Sequence, residues 1–185
     1  VPDSFRNLEY PMDWQGIVDY IGSPAIFKDI RSGGRRFAHR VNNVDELIQR
    51  YDESGTRTMI LQELLDSKEQ IHCLVVGGRD TLLMSYKYED RKYKDCELDL
   101  DGRIAREMIQ TALKLTEIYN YDINLVELAV KDDEVYVIGA SNPSPQISRD
   151  LMTSDQFDWI VKTVTDLAVA RARKKIPQIL PFDKF

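Results

Sequence analysis

The sequence predicts an α+β fold in two lobes, the second larger than the first. Three observations predict it. Short apolar runs bounded by glycine and proline alternate with stretches of helical periodicity. Gly77-Gly78-Arg79-Asp80 between two apolar runs is good β-hairpin chemistry. Two long amphipathic stretches, around residues 105–115 and 155–173, flank further strand-like runs.

The elements follow in order. Residues 1–11 are polar, with Pro2 and Pro11, and read as a linker or arm. Met12, Ile17, Tyr20 and Ile21 mark a short helix stopped by Gly22 and Pro24. Ala25 to Ile30 reads as a buried strand, and Phe37 to Val41 as its hairpin partner across a turn-rich stretch, Arg31 to Arg36. Asn43 with Glu46 three residues on reads as a capping box, and Val44, Leu47, Ile48 and Tyr51 form the stripe of the helix behind it. Thr58 to Gln62 is a strand. Ile71 to Val76 and Thr81 to Tyr88 form the hairpin.

Residues 89–101 are charged and read as exposed. The helix through Ala105, Met108, Ile109, Ala112, Leu113 and Leu115 follows. Ile123–Val130 and Val135–Ile138 are strands joined by Lys131 to Glu134. Asn142-Pro143-Ser144-Pro145 breaks regular structure. The last helix runs from about Asp155 to Arg173, capped by Thr153 with Gln156, its stripe drawn as Phe157, Ile160, Val161, Val164 and Ala168. The tail, 174–185, carries two prolines and reads as a loose arm. The lobes are expected at 12–65 and 66–173. A cleft between two lobes is a common place for a ligand.

Composition bounds the function. The chain has 185 residues, 43% hydrophobic and 30% charged, which excludes disordered and fibrous classes. No apolar run approaches the roughly 20 residues of a membrane span. With 25 Lys+Arg against 31 Asp+Glu the net charge is −6, which gives no reason to expect nucleic acid or an anionic membrane as partner. Two cysteines, Cys73 and Cys96, make no disulfide framework, so a reduced cytoplasmic chain is the simpler expectation.

Three places could carry chemistry. Lys28 lies in a strand whose other side chains are mostly apolar, followed by Gly33-Gly34 among Arg31, Arg35 and Arg36. Glycines let backbone N–H groups approach an anion, and cations add attraction, so this reads as a phosphate site with a flap. The plain alternative is an edge lysine reaching water beside an ordinary turn. Gln62-Glu63-Leu64-Leu65 sits at the seam between lobes, where backbone groups can meet a flat heterocycle, or it is merely a linker. Glu127, near the end of one strand, and Asn142, leaving the next, are hard oxygen donors suited to Mg²⁺. Read without a metal, they are a solvent-facing glutamate and a turn asparagine. His39 and His72 lack partners at zinc spacing, and Asp99 and Asp101 read as a solvated acidic turn.

Taken in order, these segments resemble the ATP-grasp superfamily. They are Gly22 to Lys28, Ser32 to Arg35, Val41 to Leu47, Met59 to Glu63, His72 to Gly78, Val126 to Val130, and Tyr136 to Ile138 leading to Asn142-Pro143-Ser144-Pro145. The resemblance spans residues 5–172. It implies two α+β lobes with antiparallel sheets that hold ATP, and activation of a carboxylate as an acyl-phosphate for attack by an amine. It also implies an N-terminal domain, to which nothing here corresponds, so the chain is expected to be the ATP-binding part of a larger protein. The acceptor substrates and the oligomeric state stay open.

Carried over by the resemblance, Lys28 contacts the α- and β-phosphates, and Gly33 and Gly34 form the flap. Gln62, Glu63 and Leu65 form the adenine hinge. Glu69, or Gln70 beside it, meets the ribose. Lys87 reaches the γ-phosphate. Glu127 and Asn142 are the first and last magnesium ligands. The sequence departs from the pattern where an acidic residue is expected two or three positions before the asparagine: Ala140 and Gly139 stand there. Asp132 or Asp150 is the substitute to look for. The alternative reading is therefore a degenerate module that binds nucleotide or a partner without turnover.

Overall fold

In a computed structural model, residues 11–30, 37–65, 67, 70–87 and 90–174 are described. The chain divides after Leu65 into two compact units.

The first unit is a three-stranded antiparallel sheet covered by two helices on one face. Helix α1 spans Trp14–Ile21, strand β1 Ala25–Asp29, strand β2 Ala38–Val41, helix α2 Val44–Ser54 and strand β3 Met59–Glu63. The strand order is β2-β1-β3. Asp13 caps α1 by accepting from the Gly16 N–H. The inward side of α1 is Trp14, Ile17, Val18 and Ile21 rather than the face that includes Tyr20, which is 89% exposed. Asn43 caps α2 through the Glu46 N–H at 2.9 Å. Glu46 answers by accepting from Asn42, both N–H and side-chain amide, so the box closes one residue earlier than the usual pattern. Ala25, Phe27, Val41 and Leu47 are the buried centre of this unit.

The second unit is a five-stranded antiparallel sheet with a helix on each face. Its elements are β4 Gln70–Val76, β5 Asp80–Lys87, β6 Lys92–Asp95, α3 Arg103–Tyr119, β7 Ile123–Lys131, β8 Glu134–Gly139 and α4 Ser154–Lys174, with sheet order β6-β5-β4-β7-β8. Alternation sorts the side chains. Ile71, Cys73, Val75, Val126 and Leu128 pack on Met108 and Ala112 of α3. Leu74, Val76, Met84 and Leu125 pack on Ile160 of α4. Strand β4 is buried from Ile71 to Val76 because both its faces are covered.

Strand β6 lies inside the charged stretch read as exposed, for which no strand was expected. Tyr93 anchors it, buried at 9% exposure, and the Tyr93 N–H donates to Leu151 O, which covers the edge. The capping box of α4 is present: the Gln156 N–H donates to Thr153 Oγ1 and the Thr153 N–H to Gln156 Oε1. Its inner face differs from the expected stripe. Gln156, Trp159, Ile160, Val164 and Leu167 face the sheet, while Val161 and Ala168 are exposed.

Candidate functional site

In the first unit, the two helices pack on one face of the sheet. Alternation sends Ala25 and Phe27 of β1, with Leu61 and Met59 of β3, into the helix-covered core. Ile26 and Lys28 therefore leave the opposite face, which no described element of this unit covers. The register sets Lys28 across from Ile60 and Ala38, and Ile26 across from Gln62 and Arg40. Lys28 is half-buried among these residues, and among the described residues it has no ion-pair partner. A cation half-buried beside apolar side chains attracts an anion, and Ile26 and Ile60, the latter 39% exposed, flank it with apolar surface.

Gln62 shares that face with Lys28, whereas Glu63 leaves the other face at the exposed end of β3. Strand β3 is an edge of its sheet, and the pairing that sets the Ile30 N–H on Thr58 O turns the Gln62 backbone towards β1 and the Glu63 backbone away from it. Leu65 follows, partly buried. Gly33, Gly34 and Glu69 lie outside the described residues.

In the second unit, Glu127 lies opposite a bulge of β8, where Ile138 is the extra residue, and pairs with Gly139 of β8 and His72 of β4. The expected neighbour for Glu127 was near Ile138; the bulge advances the register to Gly139. This glycine has a definite consequence. A Cβ there would lie 3.2 Å from both Cδ and Oε2 of Glu127. The carboxylate rests in a cradle that a side chain at 139 would fill.

Beyond β8 the chain continues along β7. The Leu125 N–H donates to Asn142 O at 3.0 Å, which sets Asn142 two residues, about 7 Å of strand, from Glu127. Asn142 Oδ1 accepts from the Ser144 N–H at 3.2 Å, a turn that orients its side chain before Pro143. The Asn142 N–H donates to Asn124 Oδ1 at 2.8 Å. Sequence reasoning missed Asn124. Its signal was a lone amide in the apolar run Ile123 to Val126.

The arrangement does not bring every expected residue together. Lys87 follows Leu83 and Ser85 on the α3 side of β5, while Glu127 follows Leu125 on the α4 side of β7. Asp132 sits in the β7–β8 turn with φ 52°, five residues from Glu127 and beyond Lys131, which is itself about 13 Å along the strand from Glu127. Asp150 precedes Leu151, which is bonded to β6 at the far edge of the sheet. Neither aspartate stands beside Glu127 as a substitute. Among the described residues no three His, Cys, Asp or Glu side chains gather where they could hold one metal ion. Glu127 and the Asn142 amide, hard oxygens with the carboxylate in its cradle, fit a single hard cation that takes further ligands from a phosphate, and not a pair of cations. Cys73 is buried and its thiol is pushed up to about 12 by that burial, so it is inert at neutral pH.

No protein-family model matches the sequence, and no curated protein does. Solved structures do. D-alanine–D-alanine ligase from Bacillus anthracis, complexed with ATP, superposes with a TM-score of 0.68 at 18% identity, over 91% of this chain and 58% of that one. The same enzyme from Coxiella burnetii gives 0.63 at 14%, over 92% and 51%. The ATP-grasp ligase PsnB, complexed with a precursor variant, Mg and ADP, gives 0.61 at 13%, over 83% and 49%. Two α+β units with these sheets and helices thus define an ATP-grasp fold, as the sequence motifs implied. The chain spans between about half and three fifths of the length of these three structures. Among the described residues no helix is long and apolar enough to cross a membrane.

Proposed function

We propose that the chain is the ATP-binding region of an ATP-grasp ligase-like protein, one that would activate a carboxylate as an acyl-phosphate for an amine. The observation that carries nucleotide binding is Lys28, half-buried and without an ion-pair partner among the described residues, on the face of the first sheet away from its two helices, which it shares with Gln62. In this reading Lys28 holds the α- and β-phosphates, with Gly33 and Gly34 closing over them. Gln62 and Glu63, with Leu65, meet adenine, and Glu69 the ribose. Lys87 reaches for the γ-phosphate with its long stem. Glu127 and Asn142 hold one Mg²⁺, which when bound would neutralise phosphate charge. The residues' work is positioning and charge compensation, which is most of what a phosphoryl transfer requires.

A specific observation favours a second reading, binding without turnover. Gly139 and Ala140 occupy the place of the acidic residue that would support a second cation, and Asp132 and Asp150 are not beside Glu127. In that reading the module binds nucleotide, or a partner, and releases no phosphate.

One experiment tests binding and separates the two readings. ATP with magnesium raises the melting temperature if it binds the native state. Lys28→Ala removes most of that rise. Absence of any rise at millimolar ATP refutes nucleotide binding. Phosphate release with added carboxylate substrates selects the ligase reading over the second.

A further inference from the structure

We infer that Asn124 is a positioning residue for the cation end of the site, an inference that rests on the proposed pairing of Glu127 and Asn142 as magnesium ligands. Asn124 is fully buried on β7, three residues before Glu127. Its Oδ1 accepts from the Asn142 N–H at 2.8 Å. Its Nδ2 donates to Ala140 O at 3.3 Å and to Thr116 Oγ1 at 3.2 Å. Thr116 in turn donates to Ala112 O at 2.7 Å within α3.

The partners fix which way the amide points. A backbone N–H can only donate and a carbonyl can only accept, so Oδ1 must face Asn142 and Nδ2 must face Ala140. Both amide protons are then used. One side chain therefore fastens the segment leaving β8 at two points, 140 and 142, and ties both to β7 and α3. The Leu125 N–H adds a third bond at Asn142 O.

With its peptide N–H and C=O both held and its Oδ1 turned by the Ser144 N–H, the Asn142 side chain has little freedom left. Glu127 is fixed to the same strand as Asn124. The two proposed ligands are thereby held two strand residues apart before any cation arrives. A site of only two protein ligands gains most from this, because it has no third ligand to hold its geometry. Only a side chain with two donors and an acceptor spans these partners, which accounts for an asparagine inside an otherwise apolar run.

The test compares magnesium enhancement, the ratio of ATP affinities with Mg²⁺ and with EDTA, by calorimetry on the whole chain. Asn124→Ala is expected to cut that enhancement at least tenfold while the affinity in EDTA moves less than twofold. Thr116→Val breaks the same buried network but leaves the bonds to 140 and 142. It is expected to lower the melting temperature with the enhancement retained, which a merely structural role for Asn124 would not distinguish. Asn124→Val suits a strand and bonds neither point; it is expected to behave as Asn124→Ala and serves if the alanine variant does not fold. Unchanged enhancement in a folded Asn124 variant overturns the inference. So does wild-type ATP binding that magnesium does not strengthen, although nucleotide binding itself would then stand. No ATP binding by the wild type overturns both.

Discussion

Gly139 stands across the sheet from Glu127 so closely that a Cβ on the glycine would lie 3.2 Å from the glutamate Cδ and Oε2. The position that lacks an acidic side chain is thus also the position that makes room for the remaining carboxylate. Gly139→Val is expected to displace Glu127 and to reduce magnesium enhancement of ATP binding about tenfold, roughly 1.4 kcal/mol of coupling. The affinity in EDTA should hold. Calorimetry with and without Mg²⁺ reads both. Restoring a carboxylate is better attempted as Ala140→Glu, because an aspartate at 139 would crowd the ligand it is meant to assist.

Lys28 gives a second prediction. It touches no carboxylate among the described residues, so its removal costs the fold little. Lys28→Ala should shift unfolding by less than about 0.5 kcal/mol, as surface changes do. The same variant should lose the thermal shift that ATP gives. A chemical melt of the free protein and a thermal melt with ATP separate the two effects.

These sites were unequally legible in the sequence. Capping boxes are local and sparse, so Asn43–Glu46 and Thr153–Gln156 read correctly, the first displaced by one residue through Asn42. Strand β6 was missed because an edge strand carries one inward residue, Tyr93, among charged ones. The inner face of α4 was misdrawn because apolar residues lie all round it, and Val161 and Ala168 fit helical spacing as well as Trp159 and Leu167 do. For α1, Trp14 and Val18 took the place assigned to Tyr20 for the same reason. Lys28 and Glu127 were recognisable as charges in apolar runs. Asn124 was not, because its partner Asn142 is 18 residues away and only the sheet register joins them.

The two thiols should separate by reactivity. Cys73 is 0% exposed and its thiol is pushed up to about 12, whereas Cys96 is partly exposed. Because the folded value lies above the ordinary 9.0, the preference for the native state is complete at neutral pH and is lost only as pH rises from about 9 towards 12. A thiol reagent at pH 8 should therefore modify Cys96 alone in the native chain and both residues in denaturant. Native modification of Cys73 at a comparable rate would contradict its place beneath α3.

Acid should loosen the start of α2. Hydrogen bonds from the Asn42 N–H, then from the Asn42 side chain, hold the Glu46 carboxyl below its ordinary 4.5. A lowered value contributes stability that is present above 4.5 and disappears as pH falls through the lowered value. Glu46→Gln should be less stable than the wild type at pH 7, with the difference shrinking as pH falls below 4.5 and through the lowered value. Thermal melts across that range check it; a difference independent of pH would show that the charge on Glu46 does not matter.

The central claim is that this ATP-grasp fold binds ATP through Lys28. Titrating ATP with Mg²⁺ into the wild type and into Lys28→Ala, in the same calorimeter cell conditions, tests it most directly. Saturable binding at one site per chain is expected for the wild type, with affinity at least tenfold weaker in the variant. No saturable heat from the wild type at millimolar ATP, or equal affinity in the two chains, would contradict it.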